Sequence, residues 1–330
     1  MNRNDPKNRP ENPVADILMR EIDRLQPRSI EEMNLIARDV SDRYNRTAQP
    51  EIGGLSPEQV SKLIYGDWLG SAVVLNEQLT LAELAGAPIL VNGRRLLNAL
   101  GQMGTAKATA TGAFNRKFAT QMFTEFDINT RTRESAVRLN KVFNQIDVPY
   151  LEMLRHLLPQ AGLLLFRKGE FRLTKRAIGL LPENKAGELF ALLFRTLLLR
   201  FNLAALDGLP EAPALQHTAG YTLYQLSKRA NDWLEVPGCG MSLLLPKVVE
   251  ELPELSWTPV NGSASDRFCD IRMVMKFRDM GLIEYDNARS WPSPDRFRKA
   301  PLFDRFLSFN LPAAFPHVVQ PSTRRPDSFH

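Results

Sequence analysis

The stretch that most constrains the fold is residues 148–182, VPYLEMLRHLLPQAGLLLFRKGEFRLTKRAIGLLP. Asp147 can cap a helix, with Pro149 in the first turn, where a missing N–H costs nothing. Leu151, Leu154, Leu157 and Leu158 fall at i, i+3, i+6 and i+7 and form one apolar stripe. Pro159 and Gly162 are the stop signals. The run Leu163, Leu164, Leu165, Phe166 reads as a short buried strand, and Lys168-Gly169 as a hairpin turn. Phe171 and Leu173 alternate with Arg172 on the return strand, and Thr174 caps a following helix. The prediction is helix, tight turn, hairpin with a basic tip, helix.

That order resembles the end of a winged-helix domain. In such domains the helix before the hairpin can enter a major groove, while the hairpin, or wing, lies on phosphates. Residues 135–146, with Val137, Leu139, Val142, Phe143 and Ile146, are expected to form the scaffold helix. A unit of this kind serves nucleic-acid contact or protein contact, and the pattern alone allows both.

Charge separates the segments. Residues 91–182 carry 15 Lys/Arg and 6 Asp/Glu, although the whole chain is only +5. The basic excess therefore coincides with the predicted hairpin unit, where it would attract polyanions through counterion release. The alternative is a solvated basic face that meets an acidic protein. Arg116, Lys117, Arg155, Arg167, Lys168, Arg172, Lys175 and Arg176 are the candidate contact residues. Arg155 would point into a groove, the hairpin and its flanks would meet phosphates, and Arg116 and Lys117 would extend the track. DNA is favoured over RNA.

Several signals place the remaining elements. Residues 1–13 are polar and rich in Pro and Asn, with no apolar core for a secretory signal, so disorder there and a cytoplasmic location are expected. Helices are expected from Val14 and, through the Ser29/Glu32 pattern, to about Tyr44. Ser56-Pro57-Glu58-Gln59 is the clearest helix start, and Thr80 with Glu83 offers another box after a strand at residues 72–75. Residues 88–126 and 268–309 read as two further copies of the helix–hairpin–helix plan. In the first, Phe114, Phe118, Met122, Phe123 and Phe126 line a basic amphipathic helix at 115–126. In the other, helices at 271–280 and 302–309 flank a long turn. Between copies, residues 188–206, 217–229 and 241–252 are expected to be helices, the last interrupted by Pro246. Arg195 and Arg200 break the most apolar run, which excludes a membrane span there.

The predicted fold is thus mainly α with short β-hairpins, in two to three winged-helix-like units around a helical core. The predicted segments are a disordered 1–13, a helical 14–87, tandem units at 88–182, a helical core at 183–260, a third unit at 261–309 and a tail at 310–330. GLSPEQVSKLIYGDW (54–68), ATATGAFNRKF (108–118), AGLLLFRKGEFRLTKRA (161–177) and ELFALLFRTLLLRFNLAALDG (188–208) together resemble a family of bacterial proteins found near plasmids and mobile elements. Some members of that family are fused to a SEC-C metal-binding tail or to a plasmid ORF-3-like domain. The resemblance implies a helical, winged-helix-like fold and no activity. This chain lacks a Cys-rich tail, so no metal site follows.

No phosphate-binding glycine loop, HExxH or GxSxG motif occurs. Cys239 and Cys269 are too far apart for a zinc pattern. Asp266, Asp270 and Asp279 are interleaved with arginines, which favours ion pairs over a metal site. Trp68, Trp233, Trp257 and Trp291 are read as core residues rather than stacking platforms, with Trp291 in the third hairpin the one to watch. No cofactor, no metal and no catalysis are expected, and the partner is nucleic acid or an acidic protein rather than a membrane.

Overall fold

A computed structural model describes residues 13–66, 68, 71–257, 262–287 and 293–316. Trp291 and most of the predicted 1–13 and 310–330 segments lie outside these residues. The chain forms two compact units, one of residues 1–65 with 311–330 and the other Gly66–Asn310.

The smaller unit holds α1 (Pro13–Leu25), α2 (Ile30–Arg46) and α3 (Pro57–Tyr65). Ser29 caps α2 by accepting from Glu32 N. At α3 the Ser56 hydroxyl accepts from Gln59 N while Gln59 Oε1 accepts from Ser56 N, the reciprocal box that the sequence predicts. Gln59 Nε2 also donates to Pro312 O, and Phe315 pairs with Thr47, so residues of the predicted tail are tied to this unit.

The larger unit begins with β1 (Val73–Leu75), then α4 (Pro88–Met103), β2 (Ala106–Lys107), α5 (Arg116–Glu125), α6 (Thr130–Leu139) and α7 (Pro149–Gln160). The hairpin β3 (Leu164–Arg167) and β4 (Glu170–Leu173) follows, then α8 (Lys175–Leu180), α9 (Ala186–Leu199), α10 (Pro213–His217) and α11 (Ala219–Arg229). The rest is β5 (Leu234–Glu235), α12 (Cys239–Leu243), α13 (Pro246–Glu251), α14 (Ala264–Cys269), α15 (Met275–Asp279), β6 (Ile283–Asp286), β7 (Arg296–Lys299), α16 (Pro301–Phe306) and β8 (Leu307–Phe309). The described chain is mainly α with short antiparallel strands. No described helix is long and apolar enough to cross a membrane.

The core centres on α9, which is apolar on nearly every side and buried accordingly. Trp68, Phe190, Phe194 and Phe306 cluster about it. Gly93 on α4 lies against Leu154 of α7 and Leu193 of α9, so a residue without a side chain lets these helices approach.

Two stretches repeat one plan. The sheets have orders β2-β4-β3 and β5-β7-β6, each a hairpin whose return strand also pairs with a two-residue strand from earlier in the chain. Both hairpins are entered alike. Gly162 and Gly281 are left-handed, Leu163 N donates to Leu158 O and Leu282 N to Phe277 O, both at 2.9 Å. Both are left alike, as Thr174 N donates to Leu163 O and Ala300 N to Leu282 O. The short extended piece near residue 107, read in sequence as the hairpin of its own copy, is instead the third strand of the central sheet. The first two predicted copies are thus joined through the β2–β4 pairing into one module, while Ala108 bridges Phe114 locally.

The matched glycines differ in surroundings. A Cβ on Gly281 would meet the backbone of Gly86 and Ala87, whereas at Gly162 it would meet only the Arg176 side chain. Gly162→Ala should cost about 1–2 kcal/mol for the left-handed conformation alone. Gly281→Ala should cost clearly more, as chemical denaturation of the two variants would show.

Several local expectations change. Asp147 does not cap α7. It completes a reciprocal box with Asn144 around a 3-10 turn, Gln145–Asp147, and Val148 precedes α7 without a side-chain bond. The predicted scaffold helix at 135–146 is displaced, because Asn129 caps α6 earlier and the helix ends at Leu139. Val137, Leu139, Val142 and Ile146 are exposed, and only Phe143 is buried, its ring stacked on Phe123 at 3.9 Å. Pro159 sits inside the last turn of α7 rather than ending it. Leu165 and Phe166 are exposed, so the predicted buried strand is buried only at its start. The helix predicted for 188–206 stops at Leu199, followed by a 3-10 turn, Leu203–Leu206, that Asn202 caps. The 271–280 helix contains a π-turn, Asp270–Val274, and the last predicted helix yields at Leu307 to β8, which pairs with β1. Thr80 and Glu83 bond reciprocally, but the residues after them form turns.

Candidate nucleic-acid interface

The first module's hairpin closes through Lys168 and Gly169, both at positive φ, +52° and +74°. A two-residue turn of this kind matches the twist of the strands, and it projects Lys168 at the tip. Cross-strand register then sorts the side chains. Arg167 lies opposite Glu170, which lies opposite Lys107 on β2, and Leu165 lies opposite Arg172. These residues share the solvent face, because partners across a ladder and residues two apart along a strand point the same way. The other face carries Ala106, Leu164 and Phe171, all buried, with Phe171 against Phe114 at 4.0 Å, and the exposed Phe166 at its edge.

The solvent face is cationic. Lys107, Arg167, Lys168 and Arg172 are exposed, and Glu170 is the acidic residue among them. Arg172 pairs with Glu170 at 2.6 Å. Lys107 was not foreseen as a contact residue, because its place depends on a pairing 63 positions away in sequence.

The other predicted residues fall in different settings. Arg116 opens α5, exposed, with Nε donating to Asn144 Oδ1 at 2.9 Å, and Lys117 beside it is exposed. The Asn115 cap, which accepts from Phe118 N, fixes that helix start. Lys175 is exposed in the first turn of α8. Arg176 donates to Ala161 O at 3.2 Å, at the C-terminal end of α7, where a cation complements the helix dipole. Arg155 is half-buried, and both Nε and Nη2 donate to Gly112 O, at 3.1 and 2.7 Å. Its guanidinium anchors the 109–113 loop. His156 lies between Glu152 and Arg155.

The second module has the same strand order and a different face. Arg296 pairs with Asp286 at 2.9 Å and Arg298 with Glu284 at 2.7 Å, and both guanidinium groups lie over Trp233. The two arginines of β7 are thus matched one to one by acids on the facing strand.

The acidic cluster behind that module is structural. Asp266 completes a reciprocal box with Ser263 and accepts from Gly240 N. Asp279 pairs with Arg278, and no metal-holding group of three or more His, Cys, Asp or Glu occurs among the described residues. Asp270 is buried in the π-turn, and desolvation pushes its carboxyl above the usual range against the opposing pull of Tyr285 and Arg267. The folded state then holds the proton more tightly than the unfolded chain. Stability from this group should fall as pH rises from near 4 through the raised value, and level off above it. Asp270→Asn should remove that slope, read as the wild-type minus variant difference in urea stability between about pH 3.5 and 7.

These features define a class of architecture, a helical protein with two copies of one helix–hairpin module, the first with a cationic sheet face. Residues 85–187, which contain that first module, match the Y4jL N-terminal domain family. Neither the curated proteins nor the solved structures yield a match.

Proposed function

We propose that the chain is a non-catalytic nucleic-acid-binding protein whose first module acts as a winged helix, with duplex DNA the favoured ligand. The observation that carries this reading is the contrast between two sheets of one topology. In the second, Arg296 and Arg298 are neutralised by Asp286 and Glu284. In the first, Lys107, Arg167 and Lys168 face solvent, and the face's one acid, Glu170, is taken by Arg172. The element order also supports it: helix, short strand, two helices, helix, hairpin, with the short strand beside the return strand.

The contacts on this reading are to phosphates. Lys107, Arg167, Lys168 and Arg172 meet the backbone, with Lys175, Arg116 and Lys117 extending the track. Arg155 acts indirectly by holding the 109–113 loop, so α7 brings no free arginine to a groove. Binding is then mostly independent of sequence. Fluorescence anisotropy with duplex DNA, single-stranded DNA and RNA, over roughly 50 to 300 mM salt, tests the reading. Tight, steeply salt-dependent binding to duplexes of unrelated sequence is expected, and no binding at the lowest salt would overturn it.

A second reading, docking of a protein partner, draws on exposed Val137, Leu139, Val142 and Ile146 in the same module. Binding of that kind would be insensitive to salt.

A further inference from the structure

The order β2-β4-β3 leaves β3 at the outside of its sheet. Arg167 and Glu170 close the two-residue turn, and in such hairpins the closing pair and every second pair beyond it exchange hydrogen bonds. Arg167 and Leu165 therefore bond to β4, and Leu163 O continues the series by accepting from Thr174 N. The N–H and C=O groups of Leu164 and Phe166 face away from β4, and no described strand flanks them. Along this edge Leu165 is 55% and Phe166 51% exposed. An apolar, unpaired edge is a template for another strand.

We propose that this edge pairs with the same edge of a second copy of the chain, joining two three-stranded sheets into one of six strands. The register follows from which groups face outward. The register that engages all of these outward groups at once sets Leu164 of each copy opposite Phe166 of the other, with Leu165 against Leu165 on the two-fold axis. Leucine then meets leucine on the solvent face; on the inner face Leu164 is already buried in its own core, so Leu165 and Phe166 supply the apolar surface that the junction covers. Arg167 and Lys168 fall at opposite ends of the junction, so neither faces itself. A strand identical to β3 meets every apolar position with an apolar one. A foreign acidic strand, drawn by the basic face, would set charge against Leu165 or Phe166.

The junction spans only four residues, and both sheets carry the same excess of positive charge. Repulsion opposes pairing at low salt. Screening relieves it, since the Debye length falls to about 3 Å at 1 M. The pairing does not rest on the nucleic-acid reading.

Sedimentation velocity of the full chain at roughly 100 μM, in about 0.05 and 1 M salt, tests it by mass action. The expected result is the 37.3 kDa monomer at low salt and twice that mass at high salt. Leu165→Arg sets like charges on the axis, and Phe166→Pro removes an outward N–H while sparing the ladder to β4. Both variants should remain monomeric at high salt with unchanged circular dichroism. A dimer already present at low salt that Leu165→Arg dissolves also supports the junction. A wild-type monomer at 1 M salt, or a dimer that persists in Leu165→Arg, overturns it.

Discussion

Asp207→Ala is expected to destabilise the protein by about 3–5 kcal/mol, the usual cost of leaving one partner of a buried ion pair alone. Arg272 donates to Asp207 through Nε at 2.7 Å and Nη2 at 3.1 Å, and the two side chains are 2% and 3% exposed. Nη2 also donates to Leu209 O and Pro210 O, so this arginine fastens the 207–210 loop to the helical segment that carries the π-turn. Without Asp207 a buried cation keeps only carbonyl partners. Replacing both residues together, Asp207→Leu with Arg272→Met, should cost much less, because no charge is stranded. Urea unfolding of the single and double variants would show the difference. If Asp207→Ala costs under about 1 kcal/mol, the pair is more hydrated than its burial implies.

Reversing the two cations at the hairpin tip, Arg167→Glu with Lys168→Glu, should weaken duplex binding by about 60-fold near 0.1 M salt. Each phosphate contact contributes about 0.9 to the log–log salt slope, or about eightfold in affinity at that concentration. Both residues are exposed, so the fold should survive the change. Lys168 has positive φ, a conformation that any residue other than glycine adopts at some cost, so glutamate there replaces like with like. Affinity within twofold of wild type would remove the hairpin from the interface.

Much of the first module could be read from local sequence. The Lys168-Gly169 turn, the Thr174 cap and the Asn115 helix start are decided within a few residues, and all three form. The leucine stripe of α7 is buried as its spacing implies. What escaped reading depends on distant partners. Arg155 could be taken for a free groove-facing residue because Gly112, its acceptor, lies 43 positions upstream. Lys107 joins the basic face only through β4, and that same pairing merges two predicted copies into one module. The matching of the second sheet's arginines depends on the β6–β7 register, which sets Arg296 against Asp286 and Arg298 against Glu284. Composition could show a basic segment but not which of its cations are matched across strands.

If the first hairpin contacts phosphates, the salt slope of duplex binding depends on its two tip cations. Anisotropy titrations at several salt concentrations would compare wild type with the Arg167→Glu, Lys168→Glu double variant. The expected result is a steep wild-type slope and a variant slope shallower by about two units, one for each lost contact. Equal slopes in the two proteins, even with measurable binding, would take the hairpin out of the interface, because the ions released would then come from another surface.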